Sequence, residues 1–206
     1  MDASKDLERI RRDTQRVYQD HAQQFERARD GSLFEKAWLD RFSADLPQHA
    51  KVLDLGCGGG GVISSYLIAQ GFRVTGIDFA SSMIDLARQR HPEHTWLVQD
   101  MRRLDLDETY DGIISWNGFF HLTPDEQRQA LPQFAGLLKP QGRLLLTVGH
   151  EQGEVTGTVA GEPVYHASLS EQEYRDVLAR EGLTQVEFRP QDPTCQFHSI
   201  LMASRT

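Results

Sequence analysis

Between Val52 and Leu67 the chain reads VLDLGCGGGGVISSYL. VLDL has the short apolar run of a buried strand, and Val62, Ile63, Tyr66 and Leu67 recur at helical spacing. Between them stand Gly56, Gly58, Gly59, Gly60 and Gly61, five of the chain's 17 glycines. Glycine enters left-handed backbone freely and has no side chain to keep another group away. A strand-to-helix junction stripped of side chains is built to let something approach the backbone closely.

Reading outward, RVTGID (73–78), HTWLVQD (94–100), YDGIISWN (110–117) and GRLLLTVG (142–149) repeat the strand pattern. Helices fit between them. Gly71 closes the first, and a capping box from Ser82 to Asp85 opens the second, which ends at His91-Pro92. Thr123-Pro124-Asp125-Glu126 combines a capping box with proline in the first turn of a third helix, in which Pro132 predicts a kink or break. Upstream, residues 4–28 form a polar helix with a thin apolar stripe of Ile10, Val17, Ala22 and Phe25. A further helix starts at the capping box Ser32-Leu33-Phe34-Glu35 and stops before Pro47. Downstream, Ser170 to Glu173 cap a last helix that ends at Gly182. Two strands, TQVEFRP and QFHSILMASR, follow with the connector QDPTC, too short for a parallel crossover, so they pair as an antiparallel hairpin. Alternating strands and helices predict a mostly parallel sheet with helices on both faces.

The chain has 206 residues, enough for one sizeable core, with 39% apolar and 25% charged residues. One domain is expected over 1–206, with residues 1–47 as a helical extension. The net charge of −8 argues against a general nucleic-acid binder. No run is apolar enough to span a membrane, and the charged opening MDASKDLERIRRDTQ has no signal-peptide core, so a cytoplasmic protein is expected. Cys57 and Cys195 are too few for a disulfide framework and lack metal-ligand spacing, so no metal is expected.

In such a sheet, ligands bind beyond the carboxyl ends of the strands. Gly56 to Gly61 satisfies the dinucleotide fingerprint G-x-G-x-x-G, and Asp78 ends the second strand, where a carboxylate accepts from ribose hydroxyls. Both features suit any nucleoside-bearing cofactor, NAD included. Asp54, at the edge of the loop, would repel a pyrophosphate and attract a ligand carrying an ammonium and a sulfonium, as S-adenosylmethionine does. Asp100, with the backbone N–H of Met101, suits an adenine edge.

The series VLDLGCGGG, VTGIDFASSMIDLAR, VQDMRRL, YDGIISWNGFFHL and LKPQGRLLLTVG, over roughly residues 50–150, resembles the class I S-adenosylmethionine-dependent methyltransferases of the small-molecule type. The resemblance implies a Rossmann-like, seven-stranded α/β sheet in the order 3-2-1-4-5-7-6, with an antiparallel C-terminal hairpin. It implies methyl transfer from S-adenosylmethionine to a small-molecule acceptor, with S-adenosylhomocysteine as product. A non-catalytic cofactor-binding protein and an NAD(P)-dependent oxidoreductase stand as alternatives. The segment YQDHAQQFERAR is similar to a lid in that family, which puts Tyr18, Phe25 and Arg29 over the methionine end of the cofactor. Asp54, Gly56, Cys57, Gly58, Asp78, Phe79, Met83, Asp100, Met101, Trp116 and Asn117 complete the expected cofactor site. Phe119 and His121 follow the fourth strand on the acceptor side. The segment HEQGEVTGTVAGEPVYHASL (150–169) is long for a connection, reads as a hairpin over the crevice, and puts Tyr165 and His166 toward substrate. His121 and His166 are the candidate bases, since imidazole titrates near neutral pH.

Overall fold

A computed structural model describes residues 3–28 and 32–205. The helices are α1 (Ala3–Ala28), α2 (Lys36–Ser43), α3 (Val62–Ala69), α4 (Ser81–Arg90), α5 (Pro124–Leu137) and α6 (Glu171–Arg180). The strands are β1 (Lys51–Leu55), β2 (Arg73–Asp78), β3 (Thr95–Val98), β4 (Tyr110–Ser115), β5 (Leu138–Val148), β6 (Gly153–Val159), β7 (Glu162–Ser168), β8 (Leu183–Asp192) and β9 (His198–Arg205). Seven strands form one sheet in the order β3-β2-β1-β4-β5-β9-β8. The pairs among β1 to β5 are parallel, and β9 runs antiparallel to both β5 and β8. The expected Rossmann-like topology, with its antiparallel terminal hairpin, is the one observed.

Side chains alternate across the sheet with the period of two that a pleated strand imposes. Leu53, Leu55, Leu144 and Leu146 pack against Leu131 and Phe134 of α5 and Tyr174 of α6. Val52 and Leu145 pack on the opposite face, against Trp38 and Phe42 of α2, Leu67 of α3 and Ile84 of α4. Asp54 shares the parity of Val52 and therefore faces α3.

β6 and β7 form a separate two-stranded antiparallel sheet, turned at Ala160 and Gly161, whose φ values of 51° and 84° suit a tight two-residue hairpin. The hairpin expected in 150–169 is thus present, and it packs on α1 and on the 3-10 turn Phe119–His121. No helix among the described residues is long and apolar enough to cross a membrane.

Three local expectations differ from the structure. The helix expected from Ser32 begins at Lys36; Glu35 occupies the cap position, makes no capping bond, and is buried. α4 is capped by Ala80 rather than Ser82, because the Ser82 hydroxyl donates to the Gln19 carbonyl of α1 at 2.9 Å. α5 runs through Pro132 to Leu137, held by burial of Leu131, Phe134 and Ala135 around the missing backbone donor. The capping box at Thr123–Glu126 forms in both directions.

Candidate functional site

The glycine loop is tied down by its neighbour strand. The N–H groups of Gly56 and Cys57 both donate to the Ile77 carbonyl, at 2.7 and 3.0 Å. Gly56 and Gly58 have φ of 74° and 54°, backbone that a residue with a Cβ adopts only with strain. A Cβ on Gly56 would come within 3.3 Å of the Gly118 Cα and the Met101 Cε. Gly60 has a different use: its absent Cβ makes room for Ala87 and Trp96.

Asp78, 8% exposed at the end of β2, accepts from the Gly58 N–H at 3.0 Å and from the Ala80 N–H at 2.9 Å. Asp54, 2% exposed, accepts from the Ser64 hydroxyl of α3 at 2.6 Å. Both carboxylates line a cleft of about 690 Å³ at the carboxyl ends of β1, β2 and β4. Gly56, Cys57 and Gly58 form its floor; Tyr18, Phe25, Phe79, Met83 and Met101 contribute apolar surface; Trp116, Asn117 and His121 complete it. Among the described residues that line it there is no lysine or arginine. Tyr18 stands edge-on to Phe25 and Phe79, with ring centroids 5.4 and 6.1 Å away, so the second half of α1 roofs the cleft.

His121 is held on both sides. Its Nδ1 lies 2.7 Å from the Tyr165 carbonyl, which only accepts, so Nδ1 carries the proton. Its Nε2 is therefore an acceptor and takes the Tyr18 hydroxyl at 2.9 Å. Burial pushes the imidazole pKa down to about 4; the bond to Tyr165 opposes this, and His166 adds to it. Burial raises the Tyr18 hydroxyl, and the charge of Asp78 raises it further. Both groups are neutral at pH 7.

The remaining candidates lie elsewhere. Phe119 is fully buried against Phe134 and Tyr174. Tyr165 is 1% exposed; its hydroxyl donates to Glu154 at 2.6 Å and its N–H to Thr14 at 3.1 Å. His166 packs edge-on to Phe120 and tilted against His121, with centroids 4.5 and 5.0 Å away, and burial lowers its pKa. It fits there because a Cβ on Gly157 would sit 2.3 Å from its ring. Asp100 opens into an adjoining cavity with Arg11, Arg12 and Arg102. Its carboxylate is clasped by Arg102, whose backbone N–H and Nε reach Oδ1 at 2.9 Å while Nη2 reaches Oδ2 at 2.5 Å. Burial alone would raise its pKa, but these bonds win and hold it below the usual carboxylate range. Arg29 lies outside the described residues.

Sequence reasoning passed over Gly118, Ser64 and Arg102. A Cβ on Gly118 would meet the Ser115 Oγ at 2.9 Å and the Leu55 carbonyl at 3.0 Å, so the loop floor needs glycine there. The only signal was the Asn-Gly pair at 117–118. Ser64 and Arg102 carried none.

Residues 52–142 match the family described as a methyltransferase domain. A Bacillus subtilis protein named "Putative methyltransferase YqeM" is 31% identical over 138 residues, 64% of this chain and 55% of that protein. The ubiquinone biosynthesis O-methyltransferase of Coxiella burnetii is 38% identical over 101 residues, 47% of this chain and 42% of that protein. The chain thus spans about half the length of these curated relatives. Among solved structures, a TehB-like SAM-dependent methyltransferase from Corynebacterium glutamicum superimposes with a TM-score of 0.66 and 26% identity, over 93% of this chain and 97% of that one.

Proposed function

We propose that this chain, whose residues 52–142 match a methyltransferase domain, is a class I S-adenosylmethionine-dependent methyltransferase that transfers a methyl group from S-adenosylmethionine to a small-molecule acceptor. One observation carries the reading: a left-handed glycine floor flanked by two buried carboxylates, Asp54 and Asp78, with no lysine or arginine among the described lining residues. That electrostatic setting disfavours a pyrophosphate and favours a cationic adenosyl ligand, which separates the reading from an NAD(P) enzyme.

The cofactor, when bound, supplies an activated methyl group on a sulfonium, open to in-line displacement. The protein's part is placement and exclusion of water. Asp78, already fixed by two backbone donors, would hold the ribose hydroxyls; Gly56 and Gly58 would let the ligand lie on the backbone; Asp54, oriented by Ser64, would face the ammonium. Phe79, Met83 and Met101 would bracket the adenine, and Asp100, in the grip of Arg102, would meet its amino edge. Tyr18 and Phe25 close the roof. His121 has no free lone pair, so it reaches a proton shed by the acceptor only through the Tyr18 hydroxyl. It acts as a positioning residue for Tyr18, and His166 stands behind it. The chain's net charge of −8 favours a small molecule over a nucleic acid.

Thermal unfolding with S-adenosylhomocysteine, S-adenosylmethionine and NAD tests the reading. A ligand at about 100 times its dissociation constant adds roughly 2.7 kcal/mol of stability. A shift with the adenosyl ligands alone, lost in Asp78→Ala, supports it; a shift with NAD alone refutes it. Release of S-adenosylhomocysteine in a screen of acceptors then separates an enzyme from a non-catalytic binder.

A further inference from the structure

His121 has no lone pair to offer, so a proton shed by the methyl acceptor needs another destination. His198, the first residue of β9, stands where one is wanted. β9 runs antiparallel to β5 with Ser199 opposite Val148, which puts His198 beyond the carboxyl end of β5, at the same end of the sheet as the glycine floor. The strands follow one another in the order β2-β1-β4-β5-β9. A cofactor with its ribose at Asp78 extends from β2 across β1 toward β4, which leaves the β5 and β9 side for the acceptor. Trp116, the residue after β4, lines the cleft and stacks on the His198 ring at 5.8 Å, so one indole separates the imidazole from the cleft.

The imidazole is fixed in plane and in direction. Phe34 and Trp116 lie against it, with interplanar angles of 33° and 28°. Its Nδ1 is 2.9 Å from the Cys195 carbonyl, which only accepts, so Nδ1 carries the proton and Nε2 the lone pair. No hydrogen bond among the described residues uses that lone pair, and the side chain is only partly buried. The preceding turn is strained. Gln196 and Phe197 have φ of 49° and 58°, two consecutive left-handed residues of which neither is glycine. Such backbone persists only where its surroundings enforce it. Here the Phe197 N–H donates to the Asp192 carbonyl at 2.8 Å, and the Asp192 carboxylate takes the Trp38 indole N–H at 2.8 Å. The result is a Phe197 ring 69% exposed, next in the chain to an imidazole with an open lone pair. That combination suits a planar ligand that carries a proton donor.

We propose that His198 is the catalytic base and that the acceptor is a phenol, its ring bordered by Trp116 and Phe197 and its hydroxyl donating to Nε2. This rests on the cofactor reading above. As the phenolic oxygen bonds to the methyl carbon, the carbon–sulfur bond breaks and its electron pair stays on sulfur, giving S-adenosylhomocysteine. The phenolic proton passes to Nε2 and from there to solvent. Imidazole chemistry suits that transfer near neutral pH.

Two acceptors of one shape test it: phenol, un-ionised at pH 8, and thiophenol, already ionised there and in no need of a base. His198→Asn keeps an amide donor for Cys195 and removes the lone pair. It should lower kcat/KM for phenol at least about a hundredfold, leave thiophenol unchanged, and bind S-adenosylhomocysteine in calorimetry as the unmodified protein does. Phe197→Ala should raise KM for both acceptors with kcat unchanged. Nitrogen-detected NMR of the unmodified protein at pH 8 should show His198 neutral and protonated on Nδ1, a readout independent of activity and of how the variants fold. Equal losses for phenol and thiophenol, no loss for either, or an Nε2–H tautomer would overturn the proposal. So would failure of the unmodified protein to methylate phenol while it binds S-adenosylhomocysteine. If it does not bind S-adenosylhomocysteine, the cofactor reading itself fails, and this proposal with it.

Discussion

Mild acid should weaken this fold through one side chain, His121. The imidazole is pressed beneath Tyr18, with Nδ1–H given to the Tyr165 carbonyl and Nε2 taken by the Tyr18 hydroxyl. A second proton must enter an enclosed site and force Tyr18 to turn its hydroxyl round. Burial lowers the folded pKa to about 4, against an unfolded value of about 6.5. The unfolded chain therefore binds more protons between these values, and stability is lost as pH falls through this window. Above pH 6.5 the group costs almost nothing. Between pH 7 and pH 5 the loss is about 2 kcal/mol, approaching about 3 kcal/mol once pH falls below 4. Urea unfolding at pH 7, 6 and 5 should be compared between the unmodified protein and His121→Asn, whose amide retains a donor for Tyr165. His166, whose pKa is lowered in the same sense, is common to both chains and cancels. The unmodified protein should lose about 2 kcal/mol more than the variant over this range. Parallel pH profiles, within about 0.5 kcal/mol, would show that His121 titrates as an ordinary histidine and that the Tyr18–His121 bond does not hold it neutral.

Gly56→Ala should destabilise the fold by about 1–2 kcal/mol in urea and weaken S-adenosylhomocysteine binding, because φ is 74° and the new methyl presses on the Gly118 backbone; unchanged stability would mean the loop is not held left-handed. Thr123→Ala removes the centre of a two-way capping box and should cost about 1 kcal/mol, again read from urea unfolding. Tyr18→Phe keeps the edge contacts with Phe25 and Phe79 but strips His121 of its donor. A loss of about 1 kcal/mol is expected, with faster proteolysis within α1; a cleavage rate equal to that of the unmodified protein would show that the Tyr18–His121 bond does not hold α1 in place.

Much of this molecule can be read one residue after another. The alternation of apolar strands and amphipathic helices determines the layered sheet, because strand and helix periods are local properties of the chain. The connector QDPTC is too short to cross the sheet, which settles the antiparallel end. The glycine run and Asp78 are legible for the same reason: a positive φ and a strand-end carboxylate are demands on single positions. The Thr123 cap forms as written because nothing distant competes for its hydroxyl.

Tertiary structure decided whatever depends on partners far along the chain. Ser82 reads as a cap, but its hydroxyl goes to Gln19, 63 residues away. His121 reads as a base, but its lone pair belongs to Tyr18, 103 residues away. Tyr165 and Phe119 read as pocket aromatics, yet the packing of the β6–β7 hairpin, α5 and α6 buries both. Asp100 reads as an adenine-edge carboxylate, and only the fold shows Arg102 clasping it. Sequence states which donors and acceptors exist; only the fold brings them within 3 Å of one another, and a hydrogen bond is determined by that distance.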